Sequence, residues 1–305
     1  MIKDPYGRPL DNLRVSVTQR CNLRCFYCHR EGETQPTYTE MTPEEIERVT
    51  RIAASLEIGK VKLTGGEPLL REDIVEIVDR LSHTPRVREV AMTTNGIPLR
   101  SLAKPLKDAG LVRVNVSLGT LDSDVYRAIA GVDAVSQILE GIREAVRVGL
   151  SPIKVNMVVL KGLNENHLQG MIDFTRENGL ILQIIEFESP DPEDKYYRKY
   201  HLDLAEIEKK LKEKAERVVV REMQERKKYF LRGGGEVEVV RPMHNTTFCG
   251  NCNRLRVTSD GKFKPCLFRQ DNLVDFLTPM RNGATDGEIK ALLLEAVERR
   301  RPYFT

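Results

Sequence analysis

Between residues 13 and 187 short β-branched runs alternate with helical patterns, and that alternation leaves few folds open. LRVSV at 13–17, KVKL at 60–63, EVAMT at 89–93, VRVNVSL at 112–118, IKVNMVVL at 153–160 and ILQIIEF at 181–187 read as strands bounded by turn residues. Apolar positions recur at helical spacing through 73–82, 135–148 and 165–177. Thr42-Pro43-Glu44-Glu45 forms a capping box that opens a further helix, with Ile46, Val49, Ile52 and Ala53 on one face. Strands joined by helices pair in parallel, because a parallel neighbour can be reached only through a crossover. Six units fall short of the roughly 250 residues of a closed eightfold barrel. The expected fold is α/β, an incomplete (β/α)6-type TIM barrel over residues 1–190.

The pattern changes after that. ESPDPEDKY at 188–196 is acidic and proline-bearing and reads as a linker. A charged helix at 203–215 follows, then strands at 217–220, 228–231 and 236–240, the last two joined by Gly233-Gly234-Gly235, and an amphipathic helix at 286–300. Residues 191–305 are thus expected to form a second, α+β domain.

Six cysteines fall in two groups of three, Cys21, Cys25 and Cys28 as C-x3-C-x2-C and Cys249, Cys252 and Cys266 as C-x2-C-x13-C. The opening MIKDPYGRPL lacks the charged-then-apolar layout of a signal, and no apolar run reaches the ~18 residues of a membrane span. A cytoplasmic setting is expected, with no membrane partner, and there clustered thiols serve metals or redox chemistry. A net charge of +3 is too small for a nucleic-acid coat, so nucleic acid is not an expected partner.

The first triad follows the first strand, at the end where parallel α/β sheets carry their sites. A four-iron cluster takes one thiolate per iron, so three leave one iron open to a ligand. Zinc also remains open for both groups: His29 adjoins Cys28, and the second group matches a zinc ribbon short of one ligand. Arg254 and Arg256 lie two apart on one side of a predicted strand beside the second triad, where planar donor forks suit phosphate.

The first triad, with Phe26 and Tyr27 before Cys28, resembles the signature of radical S-adenosylmethionine (SAM) enzymes, and Thr64-Gly65-Gly66-Glu67-Pro68 matches their GGEP element. FCGNCNRLRVTSDGKFKPCLF at 248–268 closely resembles the C-terminal signature of the GTP 3',8-cyclase family of molybdenum cofactor biosynthesis. DNLRVSVTQRCNLRC at 11–25, KLTGGEPLLRED at 62–73, TTNG at 93–96, VNVSLGTLD at 114–122, KVNMVVLKGLN at 154–164 and IIEF at 184–187 extend that similarity along the chain.

The resemblance implies two [4Fe-4S] clusters, the first on Cys21, Cys25 and Cys28, the second carried by the C-terminal extension on Cys249, Cys252 and Cys266. SAM on the first would meet Tyr27, Gly66 and Ser117, with Asn95 and Glu67 as neighbours, and would supply a 5'-deoxyadenosyl radical, so no side chain is expected as the catalyst. GTP would meet Arg14, Lys60, Lys62, Thr94, Lys154, Arg254 and Arg256, and be cyclised to (8S)-3',8-cyclo-7,8-dihydroguanosine 5'-triphosphate, the first step of the pathway. A ferredoxin- or flavodoxin-type electron donor, cyclic pyranopterin monophosphate synthase downstream and a homodimer are the partners it suggests. Gly119 stands where the family usually has Asp, Gln183 where it has Arg, and the chain closes on Arg301-Pro302-Tyr303-Phe304-Thr305 in place of a Gly-Gly tail. The rival expectation is another radical SAM enzyme with one auxiliary cluster, such as a peptide-modifying maturase.

Overall fold

A single twelve-stranded sheet organises the computed structural model, which describes residues 1–33, 39–189, 191 and 193–305. The six expected strands form within one residue of their expected bounds: β1 (Asn12–Ser16), β2 (Lys60–Thr64), β3 (Glu89–Thr94), β4 (Arg113–Ser117), β5 (Lys154–Val159) and β6 (Ile181–Glu186). They pair in parallel in chain order, as crossovers require. The connecting helices are α1 (Pro43–Ser55), α2 (Ile74–Ser82), α3 (Leu99–Asp108), α4 (Ser123–Ala130), α5 (Val135–Arg147) and α6 (Leu168–Glu177). The capping box that opens α1 is made in both directions between Thr42 and Glu45.

The C-terminal part widens this sheet at both edges. After α7 (Lys195–Tyr200) and α8 (Ala205–Lys214) come β7 (Ala215–Val220), β8 (Lys227–Leu231) and β9 (Glu236–Val240). Strand β9 pairs parallel to β6, and β8 and β7 continue the sheet antiparallel. Beyond α9 (Thr246–Gly250), β10 (Arg254–Val257) pairs parallel to β1, and β11 (Lys262–Lys264) and β12 (Val274–Asp275) follow antiparallel, before α10 (Leu277–Arg281) and α11 (Asp286–Glu298). Eight consecutive parallel strands result, in the order β10-β1-β2-β3-β4-β5-β6-β9. Among the described residues of the expected linker, Lys195 and Tyr196 instead begin α7, and Pro190 and Pro192 lie outside the description. Among the described residues no helix is long and apolar enough to cross a membrane.

Strand alternation then separates two environments. Leu13, Val15, Val61, Leu63, Val90, Met92, Val114, Val116, Val155, Met157, Leu182 and Ile184 are buried in the main hydrophobic core. The opposite face carries residues that no packed core would hold. Register places Arg256 beside Arg14, Arg14 beside Lys62, Lys62 beside Ala91 and Ala91 beside Arg113. Farther along, Asn115 adjoins Lys154, and Gln183 adjoins both Asn156 and Glu238. A barrel interior filled by branched apolar side chains would be a core. This concave face is built for a polar ligand.

Strand β10 is fastened to the first edge through Leu255, fully buried and in register with Leu13. Leu255→Ala is expected to cost about 2–5 kcal/mol of folding free energy, read as a lower denaturant midpoint; an unchanged midpoint would show that this edge lies outside the cooperative core.

Candidate active site

The loop after β1 reaches the concave face as the first cysteine group. Arg24 N donates to the Ala130 carbonyl at 2.9 Å and Phe26 N to that of Ile129 at 3.3 Å, which seats the loop on the end of α4. Phe26 packs against Tyr200, with ring centroids 5.0 Å apart, and Tyr27 against Phe187 at 6.3 Å. The N–H of Leu23 donates to Cys21 Sγ and that of Arg30 to Cys28 Sγ, both at 3.4 Å. Burial, with the neighbouring Cys28 and Cys21, pushes the Cys25 thiol up to about 12. Three such thiols ionise together only against a bound cationic group. With backbone donors already aimed at two sulfurs, the set fits an iron-sulfur cluster.

The GGEP segment locks this loop in place. Gly66 N donates to the Thr18 carbonyl at 2.7 Å and Glu67 N to that of Arg20 at 2.8 Å, so two chain segments run in contact. A Cβ on Gly66 would fall 2.3 Å from the Arg20 carbonyl oxygen, closer than any side chain tolerates. The buried Glu67 carboxylate accepts from Thr94 Oγ1 at 2.7 Å, Asn95 N at 2.6 Å and Leu69 N at 3.0 Å. Burial pushes it up to about 7 despite those donors. Asn95 Nδ2 in turn donates to Asn22, inside the cysteine loop, at 2.7 Å. The ends of β1, β2 and β3 are thereby tied to one another.

The second group sits at the opposite rim. Cys249 ends a turn of α9 capped by Asn245, Cys252 precedes β10, and Cys266 follows β11. Burial pushes the Cys266 thiol up. Cys252 differs, because Arg300, Arg254 and Arg8 outweigh the effect of burial and draw its thiol below the usual range. All six thiols are free and line one cavity of ≈ 880 Å³.

Between the two groups the cavity wall is cationic. Glu31 is buried between Arg14 Nη2 and Arg256 Nη1, each at 2.6 Å, and accepts from Thr64 Oγ1 at 2.9 Å. Burial opposes its ionisation, yet the two arginines hold it well below the usual carboxylate range. Glu238 pairs with Lys154, with Arg221 at 3.0 Å and with Arg226 at 2.9 Å. Lys62 Nζ donates to the neutral Asn115 at 3.1 Å, and the Arg254 guanidinium meets Met223 Sδ at 3.5 Å. Burial and the surrounding cations push Lys62 far below the lysine range, and push Arg254 down to about 9. Lys154 falls to about 8 through burial, even beside Glu238. Cations crowded together with too few carboxylates mark a place for an anion.

Fifteen of the sixteen residues expected to ligate a cluster or to contact SAM or GTP directly line this cavity: the six cysteines, Tyr27, Gly66, Ser117, Arg14, Lys62, Thr94, Lys154, Arg254 and Arg256. Lys60 does not. It lies at the entry end of β2 and pairs with Asp11 at 2.6 Å. Gln183 lines the cavity, whereas Gly119 does not, its carbonyl accepting from Asn164 Nδ2 at 3.0 Å. Arg301 and Tyr303, from the closing segment, also reach the wall. Sequence reasoning missed Glu31, Arg113, Arg221, Arg226 and Glu238. Arg113 and Glu238 were detectable by strand alternation; Glu31, Arg221 and Arg226 come from irregular segments with no period to read.

Fold and cavity together describe a radical SAM protein, and comparison with known proteins agrees. Residues 15–175 match the Radical SAM superfamily and residues 180–305 match Molybdenum Cofactor Synthesis C. The fold is shared with Streptococcus suis SuiB bound to S-adenosylmethionine, with a TM-score of 0.67 and 17% identity over 93% of this chain and 68% of that one. It is shared too with anSMEcpe with bound AdoMet, at 0.62 and 21% over 92% and 80%. The chain belongs to the radical SAM superfamily, which brings SAM and a [4Fe-4S] cluster as cofactors. It is 55% identical over 309 residues to a probable GTP 3',8-cyclase of Thermococcus kodakarensis, covering 100% of both chains. It is 50% identical over 305 residues to that of Methanothermobacter marburgensis, covering 99% of each. Within the superfamily, the chain therefore belongs to the GTP 3',8-cyclase family.

Gly66→Ala is expected to displace the loop through the Arg20 carbonyl and lower the iron and sulfide bound after anaerobic reconstitution, with far-UV circular dichroism retained. Iron content equal to that of the parent chain would show that the two segments separate freely.

Proposed function

We propose that the protein is a GTP 3',8-cyclase, converting GTP to (8S)-3',8-cyclo-7,8-dihydroguanosine 5'-triphosphate as the first step of molybdenum cofactor biosynthesis. The observation that carries this reading is the incompletely neutralised cationic wall between two cysteine triads. Residues 1–190 supply the radical source, with Cys21, Cys25 and Cys28 holding one [4Fe-4S] cluster and Tyr27, Gly66 and Ser117 lining the SAM site. In residues 191–305, Cys249, Cys252 and Cys266 would hold a second cluster, which would supply a binding position for the nucleotide base. A cluster held by Cys21, Cys25 and Cys28 would supply the electron for reductive cleavage of SAM, the source of the radical needed at the ribose.

The chain's own residues bind and enclose the reactants. Lys62, Lys154 and Arg254 receive the triphosphate, and Arg14 and Arg256 are oriented by Glu31. Arg221, Arg226 and Glu238 flank Gln183, so cationic groups remain where that position itself is neutral. Thr94 acts through its bond to Glu67. Lys60 stands outside the cavity and is not retained as a contact. Enclosure also keeps solvent from a reactive carbon. A ferredoxin- or flavodoxin-type donor, cyclic pyranopterin monophosphate synthase as consumer of the product, a cytoplasmic setting and a homodimer complete the proposal.

Anaerobic incubation with GTP, SAM and a reductant is expected to give the cyclised nucleotide together with 5'-deoxyadenosine. Cleavage of SAM with GTP left intact would favour a peptide-modifying enzyme instead. Cys249→Ala should retain the first cluster and SAM cleavage yet lose cyclisation, and full product formation would remove the second triad from the mechanism. Lys62→Met, losing a charge-assisted contact of about 1.5–3 kcal/mol, should raise the GTP dissociation constant roughly tenfold or more; an unaltered constant would take Lys62 out of the nucleotide site.

A further inference from the structure

Behind the second triad lies a group of buried charges of which only Arg8 reaches the cavity wall. Asp4, Arg8 and Arg300 are all buried, Arg300 completely. Asp4 Oδ2 accepts from Arg8 Nε at 2.7 Å and pairs with Arg300 Nη1 at 2.8 Å. Asp4 Oδ1 accepts from the N–H groups of Tyr6 and Arg8, both at 3.0 Å, which fixes the carboxylate in its own turn. The two guanidiniums then reach the cysteine loop from opposite parts of the chain. Arg8 Nη1 donates to the Cys249 carbonyl at 2.9 Å, and Arg300 Nη2 to the Cys252 carbonyl at 2.6 Å.

Burying charge is costly unless each is paired, and one carboxylate balances one guanidinium. A positive charge is therefore left over in a dry setting, bonded to the backbone of two metal-ligating residues. Neutral amides or hydroxyls would hold those carbonyls without that cost, so the charge itself needs a counterpart. Three thiolates leave an oxidised four-iron cluster negative, and reduction makes it more so. A fixed cation nearby stabilises the reduced form more, which raises the potential. Among the described residues the carbonyls of Cys21, Cys25 and Cys28 receive no guanidinium, so the two centres differ in this respect.

We propose that Arg8 and Arg300, joined through Asp4, are positioning residues for the second centre: they hold its cysteine loop by two carbonyls and supply the cation that raises its reduction potential. This rests on the reading of the second triad as a cluster site. Groups outside the ligand shell commonly change metal affinity about 10–100-fold.

The test uses the full chain reconstituted anaerobically, with iron and sulfide counted and each centre followed by EPR during potentiometric titration. Arg8→Gln keeps a donor for the Cys249 carbonyl and deletes the charge. It should move the second midpoint to more negative potential and leave the first where it was. Arg300→Lys keeps the charge but not the reach, and should speed iron loss from the second centre to a chelator by about tenfold. Two clusters in the parent chain with unmoved midpoints and unchanged chelator rates, or both midpoints moving together, would overturn the proposal alone. Only about four irons per parent chain would overturn it together with the second-cluster reading.

Discussion

Like charges held close on a concave sheet face are the constraint to which the rest of this structure answers. Arg14, Lys62, Arg113, Lys154, Arg254 and Arg256 repel one another and lose water in the cavity, and none of that favours folding. The opposing stabilisation comes from the other side of the same strands, where residues such as Leu13, Leu63, Val116 and Ile184 are wholly buried. Alternation makes the arrangement possible, because each strand gives one face to stability and the other to chemistry. Glu31 and Glu238 moderate the repulsion without abolishing it.

The same division explains how the thiols are placed. Cys21, Cys25 and Cys28 lie on a loop with little regular structure, yet backbone bonds to α4, the close approach of Gly66 and the chain from Glu67 through Asn95 to Asn22 restrict it from three sides. The second triad is held differently, by a capped turn and by guanidiniums from residues nearly three hundred positions apart in sequence. One triad is fixed mainly by backbone contact and the other largely by charged side chains.

Much of this was legible in sequence because it depends on local pattern. β-Branched runs between turn residues fixed six strands to within a residue, and Thr42 with Glu45 marked the start of α1. The helix α3 went unrecognised, having Pro105 in its interior and no side-chain cap. The short strands β11 and β12 also escaped, since a strand of two or three residues owes its form to its partner. Lys60 and Lys62 share a strand and a face, and only depth along β2 separates the paired surface lysine from the enclosed one. Glu31 adopts φ 52° in a turn that no periodicity announces, although it proves central to the arginine pair.

Because β10 is the parallel neighbour of β1 on one side, a strand from the start of the barrel waits for a partner about 240 positions away, with Leu13 opposite Leu255. Until that long loop closes, β1 presents an unprotected row of amides and carbonyls beside an apolar surface. A chain halted before residue 254 would hold the same bare edge, open to adhesion between molecules, so residues 254–257 serve as a seal against aggregation as much as a support for arginines.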